Sequence, residues 1–442
     1  MSAATGAHPS PLLGFEDHSR RPGLSLSASL PTTATDTVDG AASWFRLAIC
    51  ILLGTVGGAG IWAVVVVLPA VQAEFGVDRG EASFSYMLTM LGFAAGNYLV
   101  GRWVDRYGVV VPVLLSALSL GAGFALAGLS TGIITFSLAQ GLLIGVGTAA
   151  TFGPLISDLS HWFEKRRGIA VASAACGNYL AGVLWPSFIQ WTLGFTDWRS
   201  TYLMIAVLCV VIMVPLSLFL RAAPPPPSNE ASGKPESADA GPHSSGLRSS
   251  GLSPLTLQIL LVLAGLGCCV AMSMPQVHIV AYCVDLGYGV ARGADMLAIM
   301  VGAGVVSRLA SGFLADAIGG VRTLLVGSVL QCAALFLYLP FDGLVSLYLV
   351  SLVFGLSQGG IVPSYAIVVR EYLPAKEAGQ RVGLVIMASI LGMALGGWMS
   401  GWIYDLTGSY DAAFLNGIAW NFMNIGLMVF ILIKSRPAHV HV

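Results

Sequence analysis

From residue 46 to residue 434 the chain reads as long apolar runs separated by short polar breaks. A helix crossing the hydrocarbon of a bilayer needs about 20 largely apolar residues. On that ruler twelve segments qualify. The first six are 46–70, 83–104, 109–129, 133–157, 168–194 and 200–221, and the second six are 256–284, 295–315, 321–340, 344–369, 382–405 and 411–434. Between the two sets lies a low-complexity stretch with Pro224 to Pro227 and many Ser and Gly, which cannot bury a core and predicts a flexible linker. Residues 1–44 are rich in Ser, Thr and Pro and contain no apolar run suited to a secretory signal, which predicts a disordered tail. The pair Arg20-Arg21 is followed by Pro22 and a polar stretch, which argues against a twin-arginine signal. The expected organisation is a tail over 1–44, a six-helix bundle over 45–221, a linker over 222–253, a second six-helix bundle over 254–436 and a tail over 437–442. An all-α integral membrane protein with twelve transmembrane helices follows.

Composition points the same way. Of the 442 residues only 10% are charged, against roughly 25% in soluble domains, and 56% are hydrophobic, too few polar groups to cover a soluble surface. The 54 glycines suit helices packed closely in lipid. A soluble enzyme, a nucleic-acid binder and a disulfide-rich secreted domain are excluded. The net charge of -1 implies no polyanionic partner. All seven cysteines lie in apolar segments without CxxC spacing, which favours packing residues over disulfides or a metal site. No GK[S/T] ending follows any glycine-rich run, so no phosphate-binding loop is present. No cofactor and no obligate protein partner are expected.

Cations orient the spans. With both termini inside, the cytoplasmic segments hold seventeen Lys and Arg, the external loops hold Arg79, Arg199 and Arg292, and Arg308 alone lies within a span. A plasma membrane or a bacterial inner membrane is the expected location. The two halves also repeat: Gly101 and Asp105 after the second span recur as Gly312 and Asp316 after the eighth, 211 residues on, each pair followed by a glycine, Gly108 or Gly319. Duplication of a six-helix unit accounts for this.

The loop Gly101-Arg-Trp-Val-Asp105-Arg106-Tyr-Gly108 resembles motif A of the major facilitator superfamily, with Gly312 to Gly319 its weaker second copy. The resemblance implies a fold of two six-helix bundles around a central cavity. It also implies a cytoplasmic gate using Gly101, Asp105, Arg106, Gly108, Gly312 and Asp316. Chemically, glycine lets two helices approach, and the carboxylate can bind a helix N-terminus or a cationic neighbour. The run His161-Trp-Phe-Glu-Lys165-Arg166-Arg167-Gly168-Ile-Ala170, continued by Gly177-Asn178-Tyr179-Leu-Ala-Gly182, is similar to a signature of the monocarboxylate transporter family and of oxalate–formate antiporters. Lys165, Arg166 and Arg167 join the expected gate. Asp39-Gly40 before Trp44 echoes that family's approach to its first helix with different spacing.

An ionisable residue deep in a bilayer costs about 2.5–3.5 kcal/mol on insertion scales and should face a cavity or a partner. Arg308 lies 13 residues after Asp295 and 8 before Asp316, about 20 Å and about 12 Å from the two helix ends. Its guanidinium offers a bidentate match to a carboxylate, and the resemblance places a substrate-binding arginine at this point. An internal ion pair or hydrogen bonds to carbonyls are the structural alternative. The family often has an aspartate one turn earlier, where this chain has Gly304; its first-helix lysine aligns with Val66, and the eleventh span has no lysine. A lone cation suits one carboxylate.

His278 is the one histidine inside a span; an ordinary pKa of about 6.5 would let it follow external pH. Gln276 and Tyr282 could complete a polar patch with it. Asn178, Tyr179, Gln140, Tyr365, Gln358, Asn97 and Asn421 are further candidates, each equally suited to interhelical hydrogen bonding. Asp158, near Arg166 and Arg167, reads as a gate or cap.

The reading is a secondary transporter of a small organic anion, not an enzyme, with the lipid bilayer as surroundings and protons as the candidate coupling ion. Two readings compete with it. One is an exporter of hydrophobic drug- or siderophore-like compounds, whose substrate would lack a carboxylate. The other is a transporter-fold nutrient sensor, against which the short, bland tails weigh.

Overall fold

The computed structural model describes residues 38–159, 161–163, 166–222, 251–374 and 377–434, all within one compact unit. Residues 1–37 of the expected N-terminal tail, the expected C-terminal tail, nearly all of the expected linker, Lys165 and the side chains of Asp105 and Arg167 lie outside the described residues, while residues 41–44, read as tail, already belong to the first helix. Among the described residues twelve helical rods follow one another. They are α1 (Ala41–Phe75), α2 (Arg79–Tyr107), α3 (Val110–Gly128), α4 (Ile133–Leu159), α5 (Arg167–Leu193) and α6 (Trp198–Arg221) in one half. In the other are α7 (Pro254–Asp285), α8 (Gly289–Ile318), α9 (Gly320–Leu337), α10 (Leu344–Tyr372), α11 (Ala378–Thr407) and α12 (Asp411–Lys434).

Eleven rods are long and apolar enough to cross a membrane. The exception, α2, owes its lower hydropathy to side chains turned into protein. Ser83, Ser85, Tyr86 and Thr89 are buried, and Gly92 and Gly96 come within contact of Gly141, Val146 and Ala149 of α4. Small residues let these backbones meet closely. The halves join along two seams, α2 against α11 and α5 against α8.

The internal repeat is visible in backbone geometry. Gly108 and Gly319, also 211 positions apart, both take positive φ (+73° and +86°), and their N–H groups close the ends of α2 and α8 on Val104 and Ala315, each at 2.9 Å. A side chain would be strained at that φ, so these glycines are helix caps. By contrast, a side chain at Gly101 or Gly312 would meet nothing within 4 Å. In this conformation neither glycine serves a close helix approach.

Arg46 differs from its sequence expectation. It counts as a cation at the membrane surface, yet its side chain is only 5% exposed and clasps Asp158 through two bonds of 2.7 and 2.9 Å. Asp158 thus has its guanidinium partner on α1, not in Arg166. Arg46 also donates to the carbonyls of Leu220 and Ala222 and lies 4.4 Å from the Trp162 ring centre. One side chain therefore ties α1, the end of α4 and the last carbonyls of α6, which a helix leaves unsatisfied. Beside it, the Asp39 backbone N–H donates to Trp162, and its carboxylate accepts from the Arg166 amide at 3.3 Å, so the Asp39-Gly40 approach and the Trp162–Arg166 run are in contact.

Removing one partner of a buried ion pair costs about 3–5 kcal/mol. Arg46→Ala is therefore expected to lower the melting temperature of the detergent-solubilised protein sharply, and Arg46→Ala with Asp158→Ala should recover part of the loss. Equal melting of wild type and the single variant would contradict this account.

Candidate functional site

The site is built on a break in α10, which stops at Gln358 and resumes at Ile361. The cause is in the sequence. Pro363 has no N–H to give the carbonyl four residues earlier, that of Gly359. Arg308, ten residues before the end of α8, fills the gap: its Nε donates to the Gly359 carbonyl at 3.3 Å. Its Nη2 donates to the Tyr179 hydroxyl at 3.2 Å, and the guanidinium carbon stands 4.4 Å from that ring's centre, a cation–π contact from α5. Among the described residues Arg308 has no carboxylate within ion-pair distance. A cavity of about 250 Å³ opens beside it, walled by Ala172 and Ala175 of α5, Ser311 of α8, and Gly360 and Ser364 of α10, with Arg308 the only charge on its wall.

Gly304 explains why that charge is unmatched. A Cβ there would press into the Tyr179 ring, and one at Gly359 would collide with the Gly304 backbone. The helices α8 and α10 meet backbone to backbone at this level, which leaves no room for the aspartate suggested by the family resemblance. An aromatic face takes the place of a carboxylate.

One residue before the break, Gln358 is joined to Gln276 of α7. Gln276 Nε2 donates to Gln358 Oε1 at 2.6 Å, while Gln276 Oε1 and Gln358 Nε2 are buried with no partner. Which end of an amide is oxygen is an assignment, but turning both amides round leaves the same balance. One acceptor and one donor stay unmet, at a usual cost of about 1–3 kcal/mol each.

The end of the bundle away from the linker is closed by a polar latch. Arg79, 6% exposed at the start of α2, donates to both oxygens of Asp285 (2.9 and 3.1 Å), to Gln72 (2.8 Å) and to the Tyr410 hydroxyl (2.6 Å), and lies 4.5 Å from the Tyr404 ring centre. Asp78 holds the N-cap position of α2, yet its side chain makes no cap bond. The cap comes from the other half: Asp405 of α11 accepts from the Arg79 and Gly80 amides at 2.9 and 2.6 Å. Here the sequence signal was weak, because Arg79 read as one of three external cations. At the linker end, by contrast, no hydrogen bond or ion pair joins the halves beyond the level of Arg308, among the described residues.

His278 belongs to this latch and not to the Arg308 cavity. It is fully buried; Nε2 lies 2.7 Å from the Gly397 carbonyl and Nδ1 3.1 Å from the Tyr410 hydroxyl. Burial pushes the Tyr410 phenol upward, so it stays protonated, accepts from Arg79 and donates to His278. Counting 1.5 Å per residue along α7 and α8, His278 sits about 18 Å nearer the closed end than Arg308.

The other expected residues scatter. Tyr282 packs edge-on against Tyr410 and Phe414. Gln140 is buried within one half, donating to Tyr202 and accepting from Thr89; a π-helical stretch, Gln140–Gly145, starts at this residue. Tyr365 is buried in the other half on Asn424. Asn178 lies against Gly58 of α1, and its carbonyl takes the Trp62 indole N–H. Asn97 donates to the Phe93 carbonyl of its own helix, and Asn421 donates to the Ser328 carbonyl and accepts from Asn424. Arg106 and Asp316 are exposed, Arg106 near the Tyr107 ring, and Arg166 lies 5.8 Å from the Trp44 ring centre.

Two six-helix halves closed at one end around a half-buried guanidinium with no ion-pair partner among the described residues define a membrane transporter. The chain matches the sequence profile of the Major Facilitator Superfamily over residues 50–346 and 296–442, and belongs to that superfamily. Among curated proteins it is similar to monocarboxylate transporter 13 of Bos taurus, 28% identical over 356 residues that cover 79% of this chain and 78% of that one. It is also similar to monocarboxylate transporter 4 of Gallus gallus, 26% identical over 423 residues covering 91% and 86% of the two chains. MFS transporter asaE of Aspergillus flavus is 24% identical over 308 residues, 68% and 65% of the two. A bacterial homolog to the human lysosomal transporter Spinster, solved in an inward-facing and unoccupied conformation, superposes with a TM-score of 0.65 at 14% identity, covering 89% of this chain and 96% of that chain. That likeness bears on the fold alone.

The latch predicts a thiol-accessibility change. Ser83→Cys, buried against Gly401, should react slowly with a membrane-impermeant thiol reagent. Adding Arg79→Ala should raise its rate at least about tenfold, the factor carried by about 1.4 kcal/mol. An unchanged rate, read on the labelled peptide, would show that Arg79 does not hold this end shut.

Proposed function

We propose that the protein moves a small organic anion with one carboxylate across a plasma membrane or bacterial inner membrane by alternating access. The observation that supports this best is Arg308, a guanidinium held inside a span by a carbonyl and an aromatic ring, with no anion of its own among the described residues. Such a group is half of a charge-assisted pair. The names of the monocarboxylate transporters among its relatives agree with a single-carboxylate substrate. The bias of Lys and Arg supports an orientation with both termini and the linker in the cytoplasm. On that orientation the latch shuts the external side, and Arg308 is reached from the cytoplasm. Gly101, Asp105, Arg106, Gly108, Gly312, Asp316, Lys165, Arg166 and Arg167 would then close the cytoplasmic side in the opposite state.

Protons are the proposed coupling ion, with His278 as their receptor. It faces Tyr410 and the Gly397 carbonyl, with Arg79, Asp285 and Tyr404 one contact further. An imidazolium cannot accept from Tyr410, so protonation would turn that hydroxyl into an acceptor for two cations and loosen the Arg79 latch. Gln276 and Gln358 would give the substrate one donor and one acceptor on its way past the break in α10.

The test is uptake of labelled mono- and dicarboxylates into proteoliposomes, with and without an inward proton gradient. A monocarboxylate should accumulate with the gradient. Losing one partner of a buried charged pair costs about 2 kcal/mol or more, so Arg308→Ala should transport roughly thirtyfold slower, and Arg308→Lys, which lacks the fork, should recover only part. Normal transport by Arg308→Ala would end the reading. Gln276→Leu with Gln358→Leu removes both unmet amide ends and should melt no lower than wild type, while KM rises. An unchanged KM would remove the pair from the substrate path.

A further inference from the structure

A cavity of about 640 Å³ lies away from Arg308. It is a crevice on the outer wall at the latched end, between α2 and α4 of one half and α11 of the other. Its mouth carries Asp78, Glu81 and Asp405, and no Lys or Arg lines it. The carboxylates of Asp78 and Glu81 have no hydrogen-bond or ion-pair partner among the described residues; Arg79 beside them is turned inward onto Asp285. Below the mouth the walls become apolar: Phe84, Leu88, Ile134, Leu138 and two tryptophans. Trp402 and Trp398 lie about 8 and about 14 Å inside the end of α11 and stack with centres 6.4 Å apart and planes 19° off parallel.

We propose that this crevice binds a single-chain amphiphile with an ammonium head. Charge chooses the head. Three carboxylates in one mouth attract a cation and repel a phosphate or sulfate. Depth chooses the body: acid at the membrane surface, hydrocarbon and indole one to two helical turns below. Size chooses the chain number, since 640 Å³ falls in the range of about 300–1,000 Å³ of pockets for drug-sized ligands.

The crevice is also specific to one state. Its walls come from both halves, and Asp405 both lines it and caps α2 across the seam. When the latched end opens, α11 leaves α2 and the crevice divides. A ligand that binds only the assembled crevice must favour the latched conformation. The amphiphile is thus an inhibitor of turnover acting from outside the substrate path.

The test uses the full chain in lipid nanodiscs and a dodecylammonium carrying a diazirine in its chain, with a dodecyl sulfate of the same design as control. Expected is saturable photolabelling of peptides within 84–88, 133–138 and 398–406 by the ammonium probe, blocked by unlabelled dodecylammonium and absent with the sulfate. Asp78→Asn with Glu81→Gln, both exposed and unpartnered, should weaken labelling roughly three- to tenfold, as expected for two partly screened charges. The Ser83→Cys reaction described above, made measurable by Arg79→Ala, should slow when dodecylammonium is added. Equal labelling by the sulfate probe, labelling spread over the whole lipid-facing surface, or a double variant that labels like wild type would each overturn the proposal.

Discussion

A guanidinium inside a bilayer has no water to turn to, so the protein must meet all of its donors itself. Three arginines show three answers. Arg46 is met within one half, four of its five N–H groups by Asp158 and the end of α6, and acts as scaffold. Arg79 is met across the two halves, by Asp285 and Tyr410, and so holds only while one end is shut. Arg308 is met by a carbonyl and an aromatic ring, and its charge remains without a counterion among the described residues. Rigid bundle, separable seam and ligand-seeking site are the same chemistry with different partners.

The site depends on backbone as much as on charge. Pro363 withholds one N–H, the Gly359 carbonyl is released, and Arg308 takes it. Gly304 and Gly359 bring α8 and α10 close enough for that bond to form. Packing of this kind has two consequences: it excludes a carboxylate at position 304, and it makes Tyr179 part of the site. Interrupted helices beside a cavity are how transporters expose backbone groups at membrane depth.

The seam has a matching logic. The N-terminus of α2 needs acceptors, and Asp405 supplies them from the opposite half although Asp78 stands at the N-cap position. Closure of this end is therefore coupled to satisfying a helix terminus, and opening exposes the same N–H groups to water. The buried amides of Gln276 and Gln358 show the same tension between α7 and α10, beside the break in α10.

Much of this was legible in residue order, for physical reasons. The cost of burying polar groups in lipid writes twelve apolar runs into the chain, and the duplication shows in Gly101, Asp105, Gly312 and Asp316. The cost of an intramembrane charge singles out Arg308. What residue order could not show was partnership, because a partner is set by packing between residues far apart in the chain. Arg46 and Arg79 read as surface cations until the bundle buries them, and Gln140 and Tyr365 read like Tyr179 until it turns them away from the cavity. His278 stood out as a buried titratable group, but only the fold joined it to Tyr410 and Arg79 at the closed end. The sequence by itself determined what crosses the membrane and which charge is costly there; the tertiary structure decided which charges are neutralised, because neutralisation depends on distances of a few ångströms that no spacing along the chain records.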